Sequence, residues 1–445
     1  MTLIQLFQFI LSISILVILH ELGHFIPAKL FKTKVEKFYL FFDPWFSLVK
    51  KKIGETEYGI GWLPFGGYVK IAGMVDESMD TEQLKKPAEP WEFRSKPAWQ
   101  RLIIMLGGVT VNFFLAWLIY SSLSYFKGET FHQNSKMEHG ISVSEEGRKM
   151  GLESGDKILK IDGKPADRLE TSLVNMLFAD QVTVLRQGKE VTFRVDEKGV
   201  AQVLQANEAK MYFTNRFPAV IDSLLPNGTA KAAGLLKGDR ILAINGKSTE
   251  FSDQLTSELS KYKGRKIPIQ ISRNNQTITK EVAVDKNGKI GFGFDMKVAQ
   301  QELDKSEVVK KYSFLEAIPR GFQRTIDVLT MQIKQFKIVF NSTTQGYKKI
   351  SGPIGIIKQM PETINWEFFW GFTAMFSVWL AFLNLIPIPG LDGGHVLFTL
   401  WEIITGKPVP QKVLENAQMI GVIFLLGLMV LIFGNDIVKW ITGKF

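Results

Sequence analysis

Apolar runs of one recurring length punctuate this chain. The first, residues 3–19 (LIQLFQFILSISILVIL), resumes after a short interruption as Phe25-Ile26-Pro27-Ala28. A helix rises ~1.5 Å per residue, so about 20 such residues cross the ~30 Å hydrocarbon core of a bilayer. Three more runs follow: Ala98 to Phe126, Trp366 to Ile386, and Val413 to Leu431 with a continuation toward Ile441. The pattern predicts a polytopic α-helical membrane protein with four transmembrane helices, within 1–31, 98–126, 366–404 and 405–445. The third is expected to break at Asn384 and to resume weakly through Trp401 to Ile404. An N-terminal apolar run can be a secretory signal, but no Lys or Arg precedes this one and no small-residue cleavage site follows. It reads as a retained span.

The polar stretches differ from one another. Residues 32–97 carry strand-like pieces, Lys34 to Leu40, Glu57 to Trp62 and Gly67 to Ala72, punctuated by Gly59, Gly61, Pro64, Gly66 and Gly67. They read as a membrane-associated β-hairpin or sheet on the cytoplasmic side, beside the first helix, with a polar loop over 74–98. Non-helical backbone at membrane depth must be buried in protein or line a wet cavity. Residues 127–300 hold an internal repeat: Gly151-Leu-Glu-Ser-Gly-Asp-Lys-Ile-Leu-Lys-Ile-Asp-Gly-Lys164 returns as Gly234-Leu-Leu-Lys-Gly-Asp-Arg-Ile-Leu-Ala-Ile-Asn-Gly-Lys247. So long a period means two tandem copies of a small α+β domain, at 127–210 and 211–300, rather than a solenoid. Residues 301–365 are interfacial in character. Within them 312–345 reads as an amphipathic helix pair at the membrane surface or packed on the second small domain, and Ser351 to Ile356 as a turn or short interfacial segment.

Charge and composition then narrow the picture. The chain is 46% hydrophobic with a net charge of +10, yet no basic helix with interleaved aromatics suggests nucleic acid as a partner. Lys29, Lys32, Lys34 and Lys37 crowd behind the first run, which marks that flank as cytoplasmic. Both chain ends and the repeated domains are then expected on the opposite, outer side. There is no cysteine, so any metal must be held by His, Asp or Glu.

One motif lies inside the first span: His20-Glu21-Leu22-Gly23-His24. On a helix its histidines stand one turn apart on one face, the spacing that brings two imidazoles to one zinc ion (Zn2+), with the glutamate placed as general base. A catalytic zinc takes three protein ligands. Asp392, where the third span breaks, is the expected third, at the same depth as His20 and His24. His395 is the weaker rival and is expected to pack or to touch a ligand. Gly393-Gly394 would let backbone approach the site, and Pro387 and Pro389 free nearby carbonyls from helical bonding. In the second span Gly107-Gly108 permits close helix packing, and Asn112 is expected to make an interhelical hydrogen bond in preference to a substrate contact.

Together these features resemble the site-2 protease family of intramembrane zinc metalloproteases, most closely the bacterial RseP type with two PDZ domains. The resemblance rests on His20-Glu21-Leu22-Gly23-His24, Gly66-Gly67-Tyr68-Val69-Lys70, the Gly-Leu-x-x-Gly-Asp repeats, and Asn384-x-x-Pro387-x-Pro389-x-x-Asp392-Gly393-Gly394. It implies a zinc endopeptidase of a bacterial inner membrane, with His20, His24 and Asp392 as ligands and Glu21 as base. It further implies that Asn384, with Pro387 and Pro389, contacts substrate, and that the strand around 63–71, including Gly66, Gly67 and Tyr68, holds an unwound substrate by strand addition. The implied substrate is a single-span membrane protein, such as an anti-sigma factor or a signal-peptide remnant, pre-trimmed by another protease. The repeats resemble PDZ domains, whose carboxylate-binding loop is expected near Asn215-Arg216-Phe217-Pro218 in the second copy; they serve either to capture a peptide end or to exclude bulky substrates. Where this family often has Gly-Phe-Gly, the chain reads Phe38-Tyr-Leu-Phe-Phe-Asp-Pro44, and Gly108-Val109 stands in place of Ala-Gly-Pro. Two readings of other classes compete: a membrane-anchored protease of soluble proteins, and a non-catalytic scaffold docking partners through its repeats.

Overall fold

The computed structural model describes residues 2–74, 87–206, 211–344 and 352–441. The chain forms two compact units, one from 1–128, 311–333 and 350–445, the other from 129–310 and 334–349.

Helix α1 (Leu3–Leu30) opens the first unit, its start fixed by a reciprocal cap between Thr2 and Gln5. It crosses α2 (Ala98–Phe126) at glycines. A Cβ on Gly23 would lie 2.4 Å from the Gly107 carbonyl oxygen, and one on Gly107 would lie 1.9 Å from that of Gly23. Backbone therefore rests on backbone, the close approach that small residues allow between membrane helices. Helix α5 (Trp366–Leu385) packs on both. Its Ser377 hydroxyl donates to the Asn112 carbonyl at 2.7 Å, and Thr373 and Ser12 hydroxyls bond at 2.9 Å. The chain then turns through Pro387 and Pro389 into α6 (Asp392–Thr405), a full helix where only a weak continuation was expected. Helix α7 (Gln411–Ile441) follows. Together α1, α2, α5 and α7 are the helices long and apolar enough to cross a membrane among the described residues.

Beside α1 lies a four-stranded sheet of β1 (Val35–Phe42), β2 (Val49–Ile53), β3 (Thr56–Ile60) and β4 (Leu63–Ile71), in the order β2-β3-β1-β4. The exposed, lysine-rich β2 was not foreseen, because five residues reading VKKKI carry no half-buried alternation. Strand β4 is an edge, as expected. Gly67 puts it against α1: a Cβ there would meet Val17 at 2.6 Å. Residues 75–86 of the expected polar loop lie outside the described residues.

The expected helix pair at 312–345 is a single helix, α3 (Phe314–Val339). No Gly or Pro follows Gly321 to interrupt it, and Pro319 removes one bond near its start. Residue 345 lies outside the described residues. Of the segment expected at 351–356, residue 351 lies outside the described residues, and the rest leads into a short helix, α4 (Pro353–Gln359). Asp436 of α7 accepts from the Gly352 and Ile354 N–H groups at 2.9 Å each, and Gln5 of α1 donates to the Met360 carbonyl at 2.7 Å.

In the second unit the sequence repeat is a structural repeat. Lys157–Ile161, Lys164–Pro165, Gln181–Arg186 and Lys189–Arg194 form one four-stranded sheet; Arg240–Ile244, Lys247–Ser248, Lys266–Arg273 and Gln276–Ala283 form another of the same order. Even the register shift recurs, between Ile158 and Lys160 and between Ile241 and Ala243. Each copy closes with a short pair, Ile141–Val143 with Phe213–Asn215 and Ile221–Leu224 with Phe292–Phe294. The first copy therefore extends through Asn215, past the boundary expected at 210. At 215–218, where the carboxylate-binding loop was expected, the chain joins the copies: Asn215 donates to the Ala299 carbonyl at 2.8 Å, and Arg216 pairs with Asp253 at 2.9 Å and lies over the Phe251 ring.

Candidate metal centre

The helical spacing of His20 and His24 turns both rings to one side of α1, toward the start of α6. Their Nε2 atoms stand 3.3 Å apart, and Asp392 Oδ2 lies 3.3 Å from the first and 3.2 Å from the second. Donors held tetrahedrally at ~2.0–2.1 Å from zinc are separated by about 3.3–3.4 Å, so this near-equilateral triangle has the dimensions of one face of a zinc site. The charges agree. His24 Nδ1 must carry a proton, because it lies 2.8 Å from the Ile104 carbonyl oxygen, so in the neutral ring the lone pair is on Nε2. Asp392 Oδ2 is buried and receives no hydrogen bond. Lone pairs converging on a buried carboxylate oxygen call for a cation between them.

Neighbouring residues make room for this arrangement. A Cβ on Gly108 would lie 2.5 Å from His20 Cε1 and from His24 Nε2, so both rings occupy space that only glycine leaves open. Asn112, fully buried, places its carboxamide nitrogen 3.0 Å from His20 Nδ1, with Oδ1 unpartnered. A half-turn of that carboxamide presents Oδ1 to an Nδ1 proton and frees Nε2 for metal, as His24 does through Ile104. Asn112 of α2 thus makes the expected interhelical bond, and its partner is His20 of α1. The sequence clue was its place four residues beyond Gly108. Glycines 393 and 394 serve a different purpose from the one expected. Their Cβ atoms would lie 2.2 Å from the Ile386 carbonyl oxygen and 2.8 Å from that of Ile388, so they let the first turn of α6 sit on the preceding turn. That contact is what delivers Asp392.

A cavity of about 570 Å³ opens on the triangle, lined by His20, Glu21, His24, Gly67, Tyr68, Val69, Asn384, Asp392 and His395 among others. Glu21 and Val69 line this cavity together, with the Val69 backbone turned toward the Glu21 carboxylate. An antiparallel edge turns alternate residues outward, so with Val69 facing Glu21 the outward set of β4 is Gly67, Val69 and Ile71. Asn384 Nδ2 lies 3.1 Å from His20 Nε2. Tyr68 is held from below, its hydroxyl donating to Asp43 at 2.9 Å and its ring stacked on Tyr39. Gly66, Pro387 and Pro389 stand outside the cavity lining; a Cβ on Gly66 would strike the Phe42 ring at 2.6 Å, so this glycine serves packing. His395 is bonded by Gln418 of α7 at 3.1 Å and is not part of the triangle.

Comparison with known proteins agrees with this chemistry. The sequence profile of peptidase family M50 matches residues 8–428. The chain is 28% identical to the regulator of sigma-E protease RseP of Escherichia coli over 97% of this chain and 98% of that one. It is 28% identical to the regulator of sigma E protease of Haemophilus influenzae, again over 97% and 98%, and to a Vibrio cholerae protein named for zinc metalloprotease activity, over the same shares. A donor triangle with the dimensions of a metal site, set on apolar helices, and a family match along almost the whole length lead to one conclusion: this chain is a zinc metalloprotease and belongs to peptidase family M50.

Proposed function

We propose that the protein is an intramembrane endopeptidase that hydrolyses a peptide bond within the membrane-spanning segment of a single-span protein. The observation that carries this reading is the place of the triangle. His20 lies ten residues, ~15 Å of helix, from the end of α1 at Leu30, inside an apolar span rather than in an aqueous domain. The same placement argues against a membrane-anchored protease of soluble proteins, and the complete triangle with Glu21 beside it argues against a non-catalytic scaffold.

His20, His24 and Asp392 are the residues that hold zinc, which when bound supplies Lewis acidity toward the scissile carbonyl and its attacking water. Glu21 takes the proton from that water and returns it to the leaving amine. A helical substrate hides its carbonyls, so it must unwind, and the outward edge of β4 offers it a strand partner at Gly67, Val69 and Ile71. Asn384, 3.1 Å from a ligand nitrogen, is placed to donate to the oxygen on which charge develops.

In this reading the repeats are PDZ-like domains on the outer side of a bacterial inner membrane, with both chain termini on that side, and they admit only substrates already trimmed by another protease. The names of the relatives support an anti-sigma factor as the type of substrate.

Cleavage of a candidate single-span protein by the purified enzyme, with and without a zinc chelator, tests the proposal. Chelation is expected to abolish cleavage and added zinc to restore it. Glu21→Gln is expected to keep one zinc per chain and to lose cleavage by at least ~10²-fold; retained cleavage would remove Glu21 from its role.

A further inference from the structure

Strand β4 faces the metal centre; the opposite edge of the same sheet, β2, takes no part in hydrolysis and yet is unusual. All five of its residues, Val49 to Ile53, are exposed. In the turn before it Trp45, Phe46 and Leu48 are 91%, 56% and 60% exposed. An exposed apolar set of this size marks an interaction surface.

The local backbone holds it in place. Trp45 sits at φ +73°, a conformation rare for a bulky residue. The Trp45 and Phe46 rings stack on Trp62 at 6.2 and 5.9 Å, and the Trp62 indole N–H donates to the Pro44 carbonyl at 3.0 Å. In sequence these rings are followed by Lys50, Lys51 and Lys52 of β2, none of which is ion-paired among the described residues. Glu57, opposite Lys52 in the ladder, is occupied by the Tyr39 hydroxyl at 2.7 Å.

The level of this surface is set by Lys29. In the last turn of α1 it pairs at 2.6 Å with Glu55, in the turn between β2 and β3. The turn that follows Lys50, Lys51 and Lys52 therefore lies beside the last turn of a candidate membrane span, where headgroups begin. Tryptophan suits the boundary between headgroups and acyl chains, and clustered lysines suit anionic headgroups.

We infer that β2 and the turn before it form an anchor for anionic lipid. Lys50, Lys51 and Lys52 take headgroup phosphates, and Trp45, Phe46 and Leu48 enter the acyl boundary. The anchor steadies the sheet so that its far edge, β4, faces the metal centre. This last consequence rests on the endopeptidase reading; the lipid contact does not.

The test places the full-length protein in nanodiscs of phosphatidylcholine, with or without phosphatidylglycerol. Dibrominated phosphatidylglycerol is expected to quench tryptophan emission more than dibrominated phosphatidylcholine, and Trp45→Phe to remove the difference. Cleavage of a single-span substrate is expected to rise several-fold with phosphatidylglycerol. A triple variant, Lys50→Gln with Lys51→Gln and Lys52→Gln, should lose that rise and keep the phosphatidylcholine rate. Equal quenching by the two lipids, or a triple variant that keeps the rise, overturns the inference. A triple variant slowed alike in both lipids assigns the lysines to the substrate's flanking segment and also overturns it. A quenching difference without cleavage in any lipid leaves the anchor standing and removes the endopeptidase reading.

Discussion

Asn112 and Gly108, neither of them a ligand, decide whether His20 and His24 can act as a pair. Asn112 is the group that can hold His20 Nδ1 and so set which ring nitrogen carries the lone pair. Asn112→Leu keeps the volume and removes that bond. Partners of this kind typically contribute 10–100-fold to metal affinity, so zinc affinity is expected to fall by about 10–100-fold, measured by competition with a chelator of known strength. Gly108→Ala adds a methyl group 2.5 Å from both rings. It is expected to yield protein that inserts into the membrane but contains less than half the zinc of the parent. Normal zinc content in this variant would mean that the rings have free space to move, against the packing described above.

At the scale of elements, the repeat shows how one sequence motif builds the same brace twice. Asp156 and Asp239, both buried, end the Gly-Leu-x-x-Gly-Asp turn and meet Arg186 and Arg273 at 2.8 and 2.7 Å. Each arginine also donates to the motif's first glycine, Gly151 or Gly234, at 2.9 Å. Burial by itself would raise the Asp239 carboxyl, but the Arg273 and Leu236 N–H bonds outweigh it and hold the group below its ordinary value. A carboxyl lowered in the folded state adds stability above its unfolded pKa of ~3.9, and that stability is lost as pH falls through the folded value. Asp239→Asn is therefore expected to destabilise the protein near neutral pH by about 2–3 kcal/mol. It should also flatten the fall in stability below about pH 4. Thermal unfolding followed across pH 2–7 checks both, and an unchanged acid limb would contradict the assignment.

At the scale of the molecule, the strands that enter and leave the tandem pair with each other: Glu129–His132 runs antiparallel to Glu307–Lys310, with Glu129 opposite Lys310. The two ends of the repeated segment therefore lie side by side, about 5 Å apart as in any ladder. Residues 129–310 can then be exchanged for a short flexible linker without stretching α2 or α3. The expected outcome is a protein that keeps its zinc and accepts substrates with untrimmed outer domains. Cleavage of a matched pair of trimmed and untrimmed substrates checks it, and unchanged discrimination would count against a filtering role for the repeats.

What the chain reveals by itself follows from local chemistry. Four spans are visible because apolar length is a property of consecutive residues, and the tandem copies because their motif recurs. His20, Glu21 and His24 are visible because a helix turns i and i+4 to one side. Asp392 is legible as well, as the acid at the break of an apolar run. The tertiary structure decided what depends on residues distant in sequence. It assigned Asn112 to His20, Gly108 to the room beside two rings, and Gly393-Gly394 to a turn of α6 rather than to the metal. It also placed Phe213–Asn215 in the first copy, because a strand's partner is chosen by packing and hydrogen bonding across 70 residues, from Ile141–Val143, and not by its neighbours. Composition suggested lysines at a membrane face; only the fold shows that three of them occupy the sheet edge opposite the one that faces the metal centre.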